Sequence, residues 1–238
     1  MNLHYWSCLC CFALGLVFAS PAYTTTFEVT PVQIFLSIAQ PIASIKVTNC
    51  SDTDSTLQLN VVAWQQKNEK DIYQTSYDVF MTPPLFQLPA HKTQVIRFAL
   101  KRPYFSMQQQ IYRVHIRELE EKRQHKIGQA LYFLIDISVP LFIQPQQIIE
   151  EFIWSTRRLD PKHIALKLQN VGNVTVFTDQ WKLLNKLEHA VIAKRSTFTY
   201  ILPGQSHSWI VAINSDKKPT HIISIINAHT HTSVLHQF

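Results

Sequence analysis

Residues 130–143 read ALYFLIDISVPLFI, and the reading of this stretch decides the fold. Its odd positions, Leu131, Phe133, Ile135, Ile137, Val139, Leu141 and Ile143, are all large and apolar, while its even positions include Tyr132, Asp136 and Ser138. Side chains alternate faces along a strand, so this segment lays one unbroken hydrophobic row along a single side. It is far longer than the ordinary strand of about 5–6 residues. Pattern alone leaves two readings open. Either the segment is a long core strand, or part of its row faces outward and is completed by a partner. An exposed apolar edge invites aggregation unless something covers it. Adding a strand to an incomplete sheet is a known mode of recognition.

Working outward from this segment, strand-like runs recur at short intervals between polar turns. Toward the N-terminus they are Phe27 to Leu36 (with Pro31 suggesting an edge position), Ile42 to Thr48, Leu57 to Val61 and Val62 to Trp64. A charged loop over Gln65–Asp71 is expected next. Thr82-Pro83-Pro84 breaks the chain before Leu85 to Leu88, and a turn of this kind accepts a cis Thr82–Pro83 peptide. Gln94 to Leu100 and Ile111 to Glu118 follow, then a charged, hairpin-like stretch from Glu118 to Lys126. No 3.6-residue apolar stripe precedes Gln144, so many short strands point to a β-sandwich. Pro145-Gln146-Gln147 reads as a linker. A second strand series starts near Ile149 and includes Ile164 to Leu168, Val174 to Val176 and Ser208 to Val211. The expected class is all-β, with a larger sandwich over residues 23–145 and a smaller one over 146–238. Beyond the first segment glycine is confined to Gly128, Gly172 and Gly204, so Asn, Asp and Pro must carry most turns, and no Gly-rich phosphate loop is available.

The N-terminus reads as a cleaved leader over residues 1–22. An apolar run from Cys8 to Ala19 is followed by Ser20-Pro21-Ala22, and the run is too short for the ~20 apolar residues of a membrane span. No later segment is long and apolar enough to insert stably in a membrane. Removal of the leader takes Cys8, Cys10 and Cys11 with it and leaves Cys50 alone in a turn-like Asn49-Cys50-Ser51-Asp52 run, so no intrachain disulfide can form. The net charge of +6 comes from scattered rather than clustered Lys and Arg, and implies no nucleic-acid partner. With 46% hydrophobic residues the chain can bury a core.

The ordered set of motifs resembles the PapD-like periplasmic chaperones of the chaperone–usher pathway. Val47-Thr48-Asn49 carries the likeness first, then Thr82 to Pro89 leading into Gln94-Val95-Ile96-Arg97. Tyr112-Arg113-Val114 with Arg117-Glu118, and Pro140-Leu141-Phe142-Ile143, continue it. In the second half, Asn170 to Val174 and Leu202-Pro203-Gly204 with Trp209 fit the archaic, spore-coat-protein-like branch. The resemblance implies two immunoglobulin-like domains set at an angle, boomerang-like. It implies donor-strand complementation, in which the long strand lends its apolar row to a pilus or fimbrial subunit lacking its own final strand. The donor row maps onto Leu131, Phe133, Ile135 and Ile137. The subunit would then pass to an outer-membrane usher, with no ATP, metal or other cofactor. A dimer that caps the apolar row is a physically reasonable resting state.

The chain departs from that pattern at the pair of cations that holds the subunit's C-terminal carboxylate. Gln33 and Pro140 stand at those two positions. Arg113 is a candidate replacement, because a guanidinium forks a carboxylate bidentately; the alternative is a structural pair with Glu118. Two further classes compete. His221, His229, His231 and His236 cluster near the C-terminus, and His229-Thr230-His231 would place two imidazoles on one strand face, a workable metal geometry. A secreted β-sandwich binding module, such as an adhesin or a pilin, is the other. No Gly-x-Ser-x-Gly elbow occurs, and Glu118 to Glu121 reads as a solvated turn, so an enzyme is not expected.

Overall fold

The computed structural model describes residues 26–102, 105–120, 133–185, 190–213 and 219–237. Every regular element among them is a strand, and no helix long and apolar enough to cross a membrane occurs among them. The expected leader and Leu131 lie outside the described residues, as does most of the charged stretch ending at Lys126.

The first ten strands build two sheets. β1 (Phe27–Thr30), β3 (Ile42–Asn49), β8 (Thr93–Leu100) and β6 (Val79–Thr82) form one, in the order β1-β3-β8-β6. The other runs β2-β10-β9-β4-β5, from β2 (Ile34–Leu36), β10 (Asp136–Ile143), β9 (Gln110–Leu119), β4 (Ser55–Lys67) and β5 (Lys70–Thr75). β7 (Leu85–Leu88) is paired to the start of β4. The inward faces of the two sheets meet in one core that includes Ile45, Val47, Ile96, Phe98, Val114 and Leu141. After a strand-free segment over residues 144–151 a second sandwich follows. One of its sheets runs β15-β12-β11-β18, from β11 (Phe152–Arg158), β12 (His163–Asn170), β15 (Ser206–Ala212) and β18 (His236–Gln237). The opposing sheet runs β14-β13-β16-β17, from β13 (Val176–Asn185), β14 (Ala190–Ile201), β16 (His221–Ile226) and β17 (His229–Val234). Its core is built around Trp154, Trp181 and Trp209. The fold is two immunoglobulin-like β-sandwiches.

Four local expectations are corrected. Phe27 to Leu36 is not one strand: the chain leaves β1 at a cis Thr30–Pro31 bond and re-enters as β2 in the opposite sheet. A proline has no N–H to donate, so a sheet ladder cannot run through Pro31. The two short runs around Val61 are a single strand, β4. The expected charged loop after Trp64 is a tight hairpin, with Asn68 and Glu69 both at positive φ (52° and 62°) between β4 and β5. That is the two-residue geometry whose twist matches the flanking strands. β5 escaped the pattern reading because all six of its residues are exposed, and without a buried face there is no period to see. Among the described residues of the 130–143 segment, which begin at Phe133, regular strand starts at Asp136.

Two asparagines repeat one device, one in each sandwich. Asn49 ends β3 fully buried; its Nδ2 donates to the Thr53 and Leu88 carbonyls, and its Oδ1 accepts from the Ser51 amide. Asn170 ends β12 equally buried. Its Nδ2 donates to Val174 and Ile201, and its Oδ1 accepts from the Gly172 amide. Each asparagine thus satisfies carbonyls of a turn and of a distant strand end, groups that would be costly to bury unpaired. Cys50 is exposed in the first of these turns.

Candidate functional site

The apolar row changes character along β10. Leu141 is 0% exposed and Val139 3%, both inside the first core, while Ile137 is half-buried against that core. Ile135 is half-buried and Phe133 is 68% exposed. One period-two row therefore begins in solvent and ends in the sandwich interior. The row is thus core at Val139 and Leu141 and faces outward at Phe133.

Main-chain geometry adds a second polarity. β9 pairs with β10 from Asp136↔Arg117 to Ile143↔Gln110, and the Glu118 amide donates to the Ile135 carbonyl. In an antiparallel ladder alternate residues bond to opposite neighbours. The odd residues of β10 therefore bond toward β9, and the even ones toward the other edge. The Gln144 amide, which donates to Leu36, obeys the same parity. On that other edge β2 runs parallel to β10 but covers only Leu141 to Ile143. The N–H and C=O groups of Asp136 and Ser138 thus lie on a sheet edge that no described strand covers. Pro140 belongs to the same edge, where its missing N–H breaks no existing ladder bond.

The outward face of this sheet is polar near the open edge. Asp136 accepts hydrogen bonds from Arg117 Nε at 2.7 Å and His115 Nδ1 at 3.0 Å. Partial burial pushes the Asp136 carboxyl up, but those two partners outweigh it and hold the group below the usual carboxylate range. Tyr73 on β5 meets His115 edge-on at 6.3 Å, and its hydroxyl donates to Asp71. Burial, then the Asp71 charge, push the phenol up against the opposing pull of Arg113.

Arg113 sits on the same face, paired across the strands with Pro140 and with Val62. It does not pair with Glu118, because five positions along a strand put the two on opposite faces. Glu118 instead accepts from the Ser55 hydroxyl, so it is a strand residue and not part of a solvated turn. The Arg113 guanidinium lies over Trp64, its Cζ 3.8 Å from the ring centroid and 5.2 Å from that of Tyr200, which comes from β14 in the second sandwich. Its Nε is buried without a hydrogen-bond partner. Gln33 donates its amide to the Tyr200 hydroxyl at 3.1 Å. The structure thus gathers Gln33, Arg113 and Pro140 at the junction of the two sandwiches, where Trp64, Ile111, Phe142 and Leu202 form a small apolar cluster with Tyr200 against it.

Neutral amides bind that junction together. The Gln66 side chain acts as an added strand end, donating to the Tyr200 carbonyl at 3.0 Å and accepting from the Leu202 amide at 3.1 Å. Gln109 Oε1 accepts from both the amide and the hydroxyl of Thr175. Asn173 Nδ2 donates to the Met107 and Gln147 carbonyls. Sequence reasoning missed Trp64, Gln66, Gln109 and Tyr200, since their partners lie up to 136 positions away and no local period marks them. The histidines do not converge: His231 packs edge-on against Phe152 while His229 is exposed. Among the described residues no group of three or more His, Cys, Asp or Glu side chains could hold a metal ion.

The fold recurs in proteins of known structure. The chain shares its fold with the chaperone–tip subunit pre-assembly complex CsuC–CsuE from the archaic chaperone–usher Csu pili of Acinetobacter baumannii. The identity is 18% and the TM-score 0.65, over 90% of this chain and 99% of that one. The Salmonella enterica SafA pilin complex with the SafB chaperone gives 15%, 0.64, 90% and 99%. The E. coli chaperone DraB gives 14%, 0.61, 90% and 98%. A search of curated protein sequences returned no match. The profile for the PapD N-terminal domain matches residues 26–149, which span both sheets of the first sandwich and the open edge of β10, and the chain therefore belongs to the pili and flagellar-assembly chaperone family and has a chaperone function in pilus assembly.

Proposed function

We propose that this chaperone holds a pilus or fimbrial subunit in the periplasm by donating a strand, and hands it to an outer-membrane usher. The observation that carries the reading is the uncovered edge of β10, whose apolar row runs out of the core into solvent at Phe133. A subunit strand added there would take hydrogen bonds from Asp136 and Ser138. The side chains of Leu131, Phe133, Ile135 and Ile137 would fill the subunit's incomplete core. Each such side chain contributes roughly 1.5–3 kcal/mol when fully buried, against the cost of association. Arg113 is the anchor for the subunit's terminal carboxylate, in place of the cations that Gln33 and Pro140 do not supply. The process needs no nucleotide and no cofactor, because completion of the subunit fold drives it. Residues 1–22 serve as the export leader, and residue 145 closes the first domain. Without a client, a second copy of the chain caps the row.

The test is periplasmic co-expression with pilus subunits, followed by pull-down and size exclusion. Wild type is compared with a Phe133→Asp, Ile135→Asp double variant that keeps its circular dichroism. A stoichiometric complex lost only in the variant is expected. Equal retention by both forms refutes strand donation through this row.

A further inference from the structure

We propose that Tyr200, on the second sandwich, is a positioning residue for Arg113, so that recognition of a terminal carboxylate is a joint property of the two sandwiches. The inference rests on the reading of Arg113 as the carboxylate anchor and adds the element that holds it. An arginine side chain has several rotatable bonds and loses entropy when it must wait in one pose for a ligand. Here the guanidinium is held between two aromatic faces that are themselves in edge-to-face contact, Trp64 and Tyr200, at 5.4 Å and 85°. Stacking of this kind favours a cation without neutralising it. Among the described residues no carboxylate lies within ion-pair distance of Arg113, so its charge stays available.

Tyr200 is in turn fixed from three directions. Its carbonyl accepts from Gln66, its hydroxyl accepts from Gln33, and its ring packs on Phe177 and Phe198 of its own sandwich at 5.8 and 5.0 Å. Gln33 and Arg113 thereby share Tyr200, the first at its hydroxyl and the second at its ring. The site that results is a planar cation on an aromatic wall whose phenol also holds a neutral amide. That suits a single carboxylate at the end of a strand, and it exists only while β14 is docked against β4.

The experiment titrates the purified protein with a short peptide alternating valine and serine, made once with a free C-terminal carboxylate and once as the C-terminal amide, with binding followed by NMR. Wild type is expected to prefer the free acid by about tenfold or more, the scale of one charge-assisted hydrogen bond. Tyr200→Leu is expected to reduce that preference to less than about threefold while binding the amide as wild type does. Tyr200→Phe, which keeps the ring over Arg113, is expected to retain most of it. If Tyr200→Leu keeps the full preference, or weakens both peptides alike, Tyr200 is not a positioning residue. If wild type itself shows no preference, including by binding neither peptide, Arg113 is not a carboxylate anchor and the proposal falls with that reading.

Discussion

Alanine substitutions along the odd row of β10 should trace two opposite gradients. Leu141 is fully buried, so Leu141→Ala leaves a cavity and should cost about 2–5 kcal/mol of folding stability. Ile137 is half-buried at the rim of the core, and Ile137→Ala should cost about half as much. Phe133 is 68% exposed, so only the hidden third of its side chain can contribute to folding, about 0.5–1 kcal/mol. For subunit binding the order reverses. The exposed two thirds of Phe133 are what a partner can still bury, about 1–2 kcal/mol, or a five- to thirtyfold loss of affinity for Phe133→Ala. Leu141 has nothing left to bury, and its variant should bind normally where it remains folded. Urea denaturation reads the first gradient through midpoints at constant slope, and titration with a captured subunit reads the second. The reasoning fails if Phe133→Ala destabilises the free protein as much as Leu141→Ala, since the row would then be core throughout. It fails equally if Phe133→Ala leaves affinity unchanged.

The stability difference between wild type and Asp136→Asn should be fully present above about pH 4, the ordinary aspartate range. It should fall away as pH drops through the lowered folded pKa, because a carboxyl held low contributes only while ionised; urea midpoints across a pH series measure it. Gly172→Ala would drive a Cβ into the Ile149 carbonyl and the Glu151 amide, both main-chain atoms with little room to retreat. A loss of about 1–3 kcal/mol and faster proteolysis within residues 144–151 are expected. Asn49→Ala strips the buried Leu88 carbonyl and two turn groups of their partners, and should cost about 2–4 kcal/mol by thermal or urea unfolding. Gln66→Ala should loosen the junction, seen as a broadened distance distribution in small-angle scattering. Gln66 bridges the Tyr200 carbonyl and the Leu202 amide across the junction, so its loss removes two neutral hydrogen bonds there.

The sequence announced the strands with one buried face and stayed silent about the others. β8 and most of β9 alternate because one face meets a core. The end of the 130–143 segment is instead buried on both faces, Leu141 in the first core and Phe142 in the junction cluster, so there it is the row of large odd residues that marks the strand. β5, exposed at every residue, left no such trace. The division of Phe27 to Leu36 between two sheets was marked only by Pro31, which the pattern allows on an edge but does not by itself identify as a crossing. The scarcity of glycine correctly pointed to asparagine in the turns: Asn68 and Asn227 both take left-handed backbone in two-residue hairpins. The matching roles of Asn49 and Asn170 show no repeat in sequence, because each bonds to carbonyls that only folding brings near. Arg113 was nominated by the chemistry of its side chain, and nothing local could place Trp64 and Tyr200 around it. A site assembled across two sandwiches is written in pairs of positions rather than in runs.

Pro140 shows why one strand can serve both a core and a partner. The even residues of β10 turn their main chain to the side where β2 lies beyond Pro140 and nothing lies before it. A residue with an N–H at 140 would extend the uncovered ladder by one donor, up to the point where β2 begins. Proline removes that donor and leaves the odd-numbered bonds to β9 intact, so the open edge is short and has a fixed end. Short edges and prolines are how sheets avoid indiscriminate pairing. In the proposed complex they would also set a register: a strand added at Asp136 and Ser138 would stop its ladder at Pro140, which pairs with Arg113. The proposed carboxylate anchor therefore stands where an added strand runs out of hydrogen-bonding partners. Restoring the donor with Pro140→Ala should lengthen the ladder past that stop. The preference for a free C-terminal carboxylate should then fall while overall strand binding holds or rises. Unchanged preference in that variant would mean that Arg113, and not the end of the ladder, sets the register.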